Sequence, residues 1–222
     1  LSKVKRFKRN ECGIDYVVGD IHGAFSKLKE ELELIGFNTS VDRLFCTGDL
    51  VDRGSESEVA TDWIFKPWFF SVRGNHEQLT IDAFDKGRGS NEEYLHSING
   101  GDWYRFLPSD HRANIAEVFR SLPHVIEIET DKGLVAILHA DMNINDWCSF
   151  KNMIISEDDK AIQACMWGRT RIKTKDQAII FGVDKVYVGH TIVKNPLQLG
   201  NVHYIDTCGW HNNGCFTIVR VN

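Results

Sequence analysis

Proline is scarce, at 4 of 222 residues, and no stretch concentrates Pro, Gly and Ser, so the sequence offers no linker at which to divide the chain. Internal repeats and low-complexity tracts are also missing, which excludes solenoids and arrays. No run approaches the ~18 consecutive apolar residues that a membrane span needs, and the N-terminus lacks the apolar core of a secretory signal. A soluble, cytoplasmic protein is therefore expected. The 6 cysteines (Cys12, Cys46, Cys148, Cys165, Cys208 and Cys215) are scattered without a C-x-x-C pair, which argues against a disulfide scaffold or a structural zinc site. An excess of one charge is lacking too. The 26 Lys and Arg against 31 Asp and Glu leave −5, so neither nucleic acid nor a membrane is expected as a partner. The basic start (Lys3, Lys5, Arg6, Lys8, Arg9) reads as a tail or edge segment within residues 1–12.

With 42% hydrophobic and 26% charged residues, the chain has the apolar mass for a sizeable core, and a single domain over residues 1–222 is the expectation. Tyr16-Val17-Val18 reads as a strand, and Phe25, Leu28, Leu32 and Ile35 then recur at helical spacing up to Gly36. Leu44-Phe45-Cys46 predicts a second strand. A helix follows through Val59, Ala60, Trp63 and Ile64, opened by Ser55-x-x-Glu58 as a capping box and closed by Pro67. Trp68 to Val72 and Glu77 to Phe84 predict a third strand and helix. Such alternation argues for an α/β core with parallel pairings.

From about Ser90 to Leu122 the pattern is helical, clearest from Ser109 as N-cap through Ile115, Val118, Phe119 and Leu122. After Pro123 the texture turns to strands: a hairpin from Val125 to Leu138 around Asp131-Lys132-Gly133, then Val186 to Val188, Val202 to Ile205 and Phe216 to Val221. Asp141 to Ser156 reads as a long irregular loop, and this loop and the segment Gly87 to Gly101 are expected to border a cleft. Trp147 and Phe150 in that loop are expected to pack it down, with an apolar cleft wall as the alternative. Two sheets flanked by helices result.

Five strand candidates run directly into polar residues: Val18-Gly19-Asp20-Ile21-His22, Thr47-Gly48-Asp49, Arg73-Gly74-Asn75-His76, Leu138-His139 and Val188-Gly189-His190. Ends of neighbouring strands in an open α/β sheet converge on a crevice, so residues distant in sequence can meet there. Asp20-x-His22 places two side chains on one side of an extended segment. Each residue alone has a bland explanation as a turn, a cap or a structural histidine. Two Asp, three His and one Asn, all oxygen or nitrogen donors at strand ends, are not explained that way. Carboxylate and imidazole without thiolate suit Mn, Fe or Zn. Six ligands exceed the needs of one tetrahedral ion, and a pair sharing a bridging carboxylate is the standard device for phosphoester hydrolysis.

Gly19-Asp20-Ile21-His22-Gly23, Gly48-Asp49-Leu50-Val51-Asp52-Arg53-Gly54 and Gly74-Asn75-His76-Glu77 resemble the three signature blocks of the phosphoprotein phosphatase (PPP) family of metallophosphoesterases. Leu138-His139-Ala140-Asp141 and Gly189-His190-Thr191 are similar to its remaining ligand segments, and Pro67-Trp68-Phe69 is most similar to the phage and bacterial branch. The resemblance implies a calcineurin-like α/β fold, with two mixed β-sheets in a sandwich flanked by helices. It also implies a metal-dependent phosphomonoesterase acting on phosphoserine and phosphothreonine in phosphoproteins or phosphopeptides, with phosphotyrosine tolerated and inorganic phosphate as product.

By the same resemblance, Asp20, His22 and Asp49 hold one of two divalent ions, Mn2+ before Fe or Zn. Asp49 bridges to a second ion held by Asn75, His139 and His190, and a water between the ions is the nucleophile. Arg53, Arg73 and Arg169 surround the phosphate. His76 protonates the leaving alkoxide and Asp52 orients its ring. A dinucleoside polyphosphate or other small phosphoester is the alternative substrate, disfavoured by Asp52 and Glu77 within the blocks. A catalytically silent, metal-stabilised scaffold is the third reading. Cys208 stands where the family has a glycine, and a packed structural role is expected for it. His96, His111, His124, His203 and His211 are given no chemistry, because surface or turn roles suffice for them.

Overall fold

Val17 and Phe45 alternate with Tyr16, Val18, Leu44 and Cys46, and all six are buried, so the strands carrying them must be covered on both faces. In the computed structural model, which describes residues 2–221, the chain begins with β1 (Val4–Phe7), β2 (Asp15–Val18), α1 (Phe25–Leu34) and β3 (Arg43–Cys46). A 3-10 turn (Ser57–Val59) leads into α2 (Ala60–Ile64), β4 (Phe69–Ser71) and α3 (Asn75–Lys86). Then come α4 (Asn91–His96), a π turn (Ser97–Gly101), α5 (Asp102–Arg105), α6 (Ser109–Arg120) and the hairpin β5 (Val125–Thr130) and β6 (Gly133–Leu138). The remainder is α7 (Trp147–Ile155), α8 (Asp159–Trp167), α9 (Thr170–Thr174), β7 (Lys185–Val188), β8 (Leu197–Leu199), β9 (Val202–Tyr204) and β10 (Ile218–Arg220).

Among the described residues there are two mixed sheets. In the four-stranded one, ordered β10-β2-β3-β4, β2, β3 and β4 are parallel and β10 is antiparallel to β2. The six-stranded one is ordered β1-β5-β6-β7-β9-β8, with β6, β7 and β9 parallel. The sheets face each other across Val17, Phe45, Val72, Ile126, Ile137 and Tyr187. Alternate residues of β2 and β3 instead face α1, whose Phe25, Leu28 and Leu32 supply the packing. The outer face of the larger sheet is covered by α7 and α8 through Trp147, Phe150, Ile154, Ala161 and Cys165. This gives a helix-sheet-sheet-helix stack. Thr47 O, beyond β3, meets Nδ1 of His139, beyond β6, at 2.8 Å. The carboxyl ends of the two parallel sets therefore open at one place.

The sequence departs from its expected reading at several points. Residues 147–155 form α7 instead of loop: Asp146 caps it by accepting the Ser149 N–H at 2.8 Å. Trp147 and Phe150 are core residues and build no cleft wall, and the Trp147 indole donates to Glu127 at 2.8 Å. Ser55 caps nothing, since the 3-10 turn begins after Glu56, whose carboxylate instead accepts the Ser26 N–H. Ser109 is the first residue of α6, behind Pro108 as N-cap. Residues 4–7 pair in parallel with β5 as an edge strand, and β8, α8 and α9 had no counterpart in the sequence pattern. Among the described residues no helix is long and apolar enough to cross a membrane.

Because Phe150 is fully buried under the larger sheet, Phe150→Ala is expected to lower unfolding free energy by about 3–5 kcal/mol. A urea titration checks this as a fall in midpoint at unchanged slope. A loss below ~1 kcal/mol would place the ring outside the core.

Candidate active site

Asp49 follows β3 on a left-handed backbone (φ 52°) and occupies the centre of the cluster. Its Oδ2 lies 3.6 Å from His22 Nε2, 3.8 Å from His76 Nε2 and 3.4 Å from His139 Nε2. Its Oδ1 accepts the His76 backbone N–H at 3.0 Å. This approach requires glycine at 74, because a Cβ there would stand 2.2 Å from Asp49 Oδ1. Two groups of donor atoms, each within 4.8 Å, share Asp49: His22, Asp49 and His76, and Asp49, His139 and His190. Asn75 joins the second through Oδ1, 2.8 Å from His139 Nε2. Asp20 belongs to neither group but lies beside the second, accepting the His190 N–H at 3.0 Å and the Thr47 hydroxyl at 3.1 Å.

Ring orientations are fixed from behind. Nδ1 of His22 donates to Val51 O at 2.8 Å, and Nδ1 of His139 donates to Thr47 O at 2.8 Å, which turns both Nε2 atoms toward Asp49. Nδ1 of His190 lies 3.1 Å from His139 Nε2, and its buried Nε2 has no partner among the described residues. Burial lowers His22 to about 3, and burial with His139 lowers His190 to about 3, so both rings are neutral and able to ligate. Burial opposes charge on His139, but Asp49 and Asp20 lift it to about 10. Burial likewise opposes charge on Asp49, yet His139 and His76 hold it well below the usual carboxylate range. Asp20 is pushed well up by burial and by Asp206. Two carboxylates thus compete for the positive charge of His139. The neutral imidazoles of His22 and His190, an amide oxygen and carboxylates fit divalent cations.

At the mouth, the exposed Arg53 places Nη1 2.9 Å from His22 Nε2 and Nη2 3.2 Å from His76 Nε2, and stacks over Trp210 at 5.2 Å. Arg169 is anchored beside His190 by bonds to Thr191 Oγ1 (3.3 Å) and His190 O (3.4 Å). Nδ1 of His76 donates to Asp52 Oδ2 at 2.7 Å. Burial disfavours the His76 cation, but Asp49 and Asp52 raise it above the ordinary value. Arg73 does not join them. Its buried guanidinium donates to Arg120 O, to Leu122 O at 3.3 Å and to Gln78 Oε1 at 3.1 Å, which directs it away from the cluster.

Sequence reasoning missed four contributors. Glu77 accepts the N–H groups of Asp49, Leu50 and Gly74 at 3.0, 2.7 and 2.8 Å, a role that its N3 position on α3 signals. Asp206, after β9, is buried and raised to about 6 by burial and Asp49. His96, given a surface or turn role, is instead buried against Asp52, as is the indole N–H of Trp103. His124 is likewise buried. Cys208 keeps the glycine-type turn with φ 59°, and burial and Asp206 push its thiol up, the reverse of an activated thiolate.

Residues 16–194 match the calcineurin-like phosphoesterase family. Serine/threonine-protein phosphatase 1 of Salmonella typhimurium is 34% identical over 93% of this chain and 91% of its own length. Serine/threonine-protein phosphatase 2 of Escherichia coli is 32% identical over 93% of this chain and 92% of its own. A symmetrical bis(5'-nucleosyl)-tetraphosphatase of Psychromonas ingrahamii is 52% identical over 105 residues, 42% of this chain and 37% of that protein. Among solved structures, a serine/threonine phosphatase from Saccharomyces cerevisiae superposes with a TM-score of 0.64 at 20% identity, covering 92% of this chain and 71% of that one. The chain belongs to the calcineurin-like phosphoesterases, enzymes that hydrolyse phosphoesters with divalent metal ions, and within them to the phosphoprotein phosphatase family.

Proposed function

We propose that the chain is a protein serine/threonine phosphatase, cleaving phosphomonoesters of phosphoproteins or phosphopeptides and releasing inorganic phosphate. The observation that carries this reading is the buried His76–Asp52 pair, 2.7 Å apart, beside Arg53 and Asp49. A seryl alkoxide is a poor leaving group and requires a proton in the transition state, whereas a nucleotide phosphate leaves without one. The near-full-length similarity to two bacterial serine/threonine phosphatases supports the same substrate class. Higher identity to the tetraphosphatase is confined to 42% of the chain, and makes a dinucleoside polyphosphate the second reading.

Asp20, His22 and Asp49 would hold one divalent ion, and Asp49, Asn75, His139 and His190 a second, with Mn2+ the favoured metal. When bound, such ions supply positive charge beside the phosphate oxygens and acidify water. The chain's own residues do the rest. Arg53 and Arg169 flank the cluster and fork onto phosphate oxygens. Once Arg53 turns from His76 to the phosphate, Nε2 of His76 is free to carry the proton that passes to the leaving oxygen. Asp52 holds that ring by Nδ1 and compensates its charge.

Chelation with EDTA is expected to abolish turnover of p-nitrophenyl phosphate, and Mn2+ to restore it. With Mn2+ present, kcat/KM for a phosphoserine peptide is expected to exceed that for diadenosine tetraphosphate, and the reverse order would promote the second reading. His76→Asn is expected to lower kcat on the phosphoserine peptide by about 100-fold or more. It should lower kcat much less on p-nitrophenyl phosphate, with bound metal unchanged. Equal losses on the two would remove His76 from proton transfer.

A further inference from the structure

Asp52 is buried beyond reach of solvent, so every bond to its carboxylate comes from protein. Among the described residues, Oδ2 accepts only Nδ1–H of His76, at 2.7 Å. Oδ1 accepts two donors, Trp103 Nε1–H at 2.7 Å and His96 Nε2 at 3.0 Å. A carboxylate only accepts, so Nε2 of His96 carries a hydrogen. The nearby Thr80 hydroxyl, 3.1 Å from the same nitrogen, spends its own hydrogen on His76 O at 3.0 Å and so also accepts from His96. Donors and acceptors therefore close into one assignment without water.

The backbone is shaped for this contact. The π turn at Ser97–Gly101 breaks the helix between His96 and Trp103, with Gly100 at φ 102°, and brings both donors onto one oxygen. Such turns recur at functional sites. Gly101 is the cradle of the ring: a Cβ there would stand 2.2 Å from His96 Nε2. Asp52 itself sits at φ 71°, a strained conformation for a non-glycine residue.

We infer that His96 is a positioning residue for the phosphatase reaction. By occupying Oδ1 together with Trp103, it holds the Asp52 carboxylate so that Oδ2 alone faces His76, which fixes the His76 ring with Nε2 toward the cleft. His96 touches neither phosphate nor metal and acts only through Asp52. The inference rests on His76 as proton donor, as proposed above. Removing His96 leaves Oδ1 short of a donor where water does not enter, and the carboxylate turns to share its remaining partners.

The test compares His96→Leu, which removes the donor, with His96→Gln, whose amide N–H reaches the same side. Both are made in wild-type and Asp52→Asn backgrounds, in Mn2+-loaded protein. His96→Leu is expected to lower kcat on a phosphoserine peptide about tenfold or more, as for removal of a partner behind a catalytic group. On p-nitrophenyl phosphate the loss is expected below about threefold, with KM unchanged on both. His96→Gln regains most of the rate, and Trp103→Phe, which removes the other donor to Oδ1, gives the same selective loss. In Asp52→Asn protein, His96→Leu adds nothing further. The downfield proton resonance of His76 Nδ1–H is expected to shift in His96→Leu and to return in His96→Gln. Equal losses on both substrates, a Gln variant no better than Leu, or a full loss persisting in Asp52→Asn would each overturn the inference. His76→Asn separates the two levels. If it shows the leaving-group dependence and His96→Leu does not, this inference alone fails. If His76→Asn shows none, both fall.

Discussion

One carboxylate sets the geometry from which the rest of the cleft follows. Glu77, fully buried at the start of α3, accepts the N–H groups of Asp49, Leu50 and Gly74. Those three amides belong to the loops after β3 and β4, so a single side chain fixes the separation of two strand ends and ties both to a helix. Each would otherwise be a buried donor without a partner, at about 1–3 kcal/mol apiece. With its backbone held by Glu77, Asp49 turns its carboxylate the other way, toward His22, His76 and His139. The bond from His76 N–H back to Asp49 Oδ1 closes the loop, making the acid that gathers the histidines and the helix that presents His76 parts of one rigid unit.

Backbone strain is concentrated around that unit. Of the 8 non-glycine residues with positive φ among those described, 5 are His22, Asp49, Asp52, Arg53 and His190. Such conformations cost on the order of 1–3 kcal/mol each and persist only where the surroundings over-determine them. Here the surroundings are Glu77 beneath Asp49, the Ser57 hydroxyl on the Asp52 N–H at 2.9 Å, and Gly100 O on the Arg53 N–H at 3.3 Å. The second of these explains why Ser57, in the 3-10 turn, is buried although it caps no helix. The third places the π turn against the cleft mouth, so the segment that carries His96 also positions Arg53.

Much of this was legible from the sequence because strand-end residues obey a simple rule: an apolar run buried on both faces stops where glycine and a polar side chain begin. Asp20, Asp49, Asn75, His139 and His190 were found that way. Helix α4 was opaque for the opposite reason. Its Glu93 and His96 are buried, the first ion-paired to Arg112 at 3.1 Å and the second against Asp52, while Tyr94, Leu95 and Ile98 are exposed. Hydrophobic periodicity therefore points to the wrong face, and only the partners, 19 and 44 positions away in the chain, reveal the right one. A motif fixes a Cα and not the direction of a long side chain, so the sequence did not show that the Arg73 guanidinium turns to Arg120 O and Leu122 O. Helix α7 could have been seen, since Asp146 is a good N-cap and Trp147, Phe150 and Ile154 share one face.

Charge gives the cleft a conditional character that the overall −5 conceals. Asp20, Asp49 and Asp206 crowd the strand ends, and the site answers by raising Asp20, Asp206 and His139. A cluster that must take up protons to relieve its own repulsion does not attract a phosphate dianion. Arg53 and Arg169 stand at the rim, and Arg53 is turned inward onto His22 and His76, drawn by the same negative field. On the reading proposed above, two divalent ions would outweigh the three carboxylates at the centre, which would weaken the inward pull on Arg53 and free its guanidinium for an incoming anion. Metal loading and phosphate recognition would then be coupled through Arg53, which already stacks over Trp210 at the mouth.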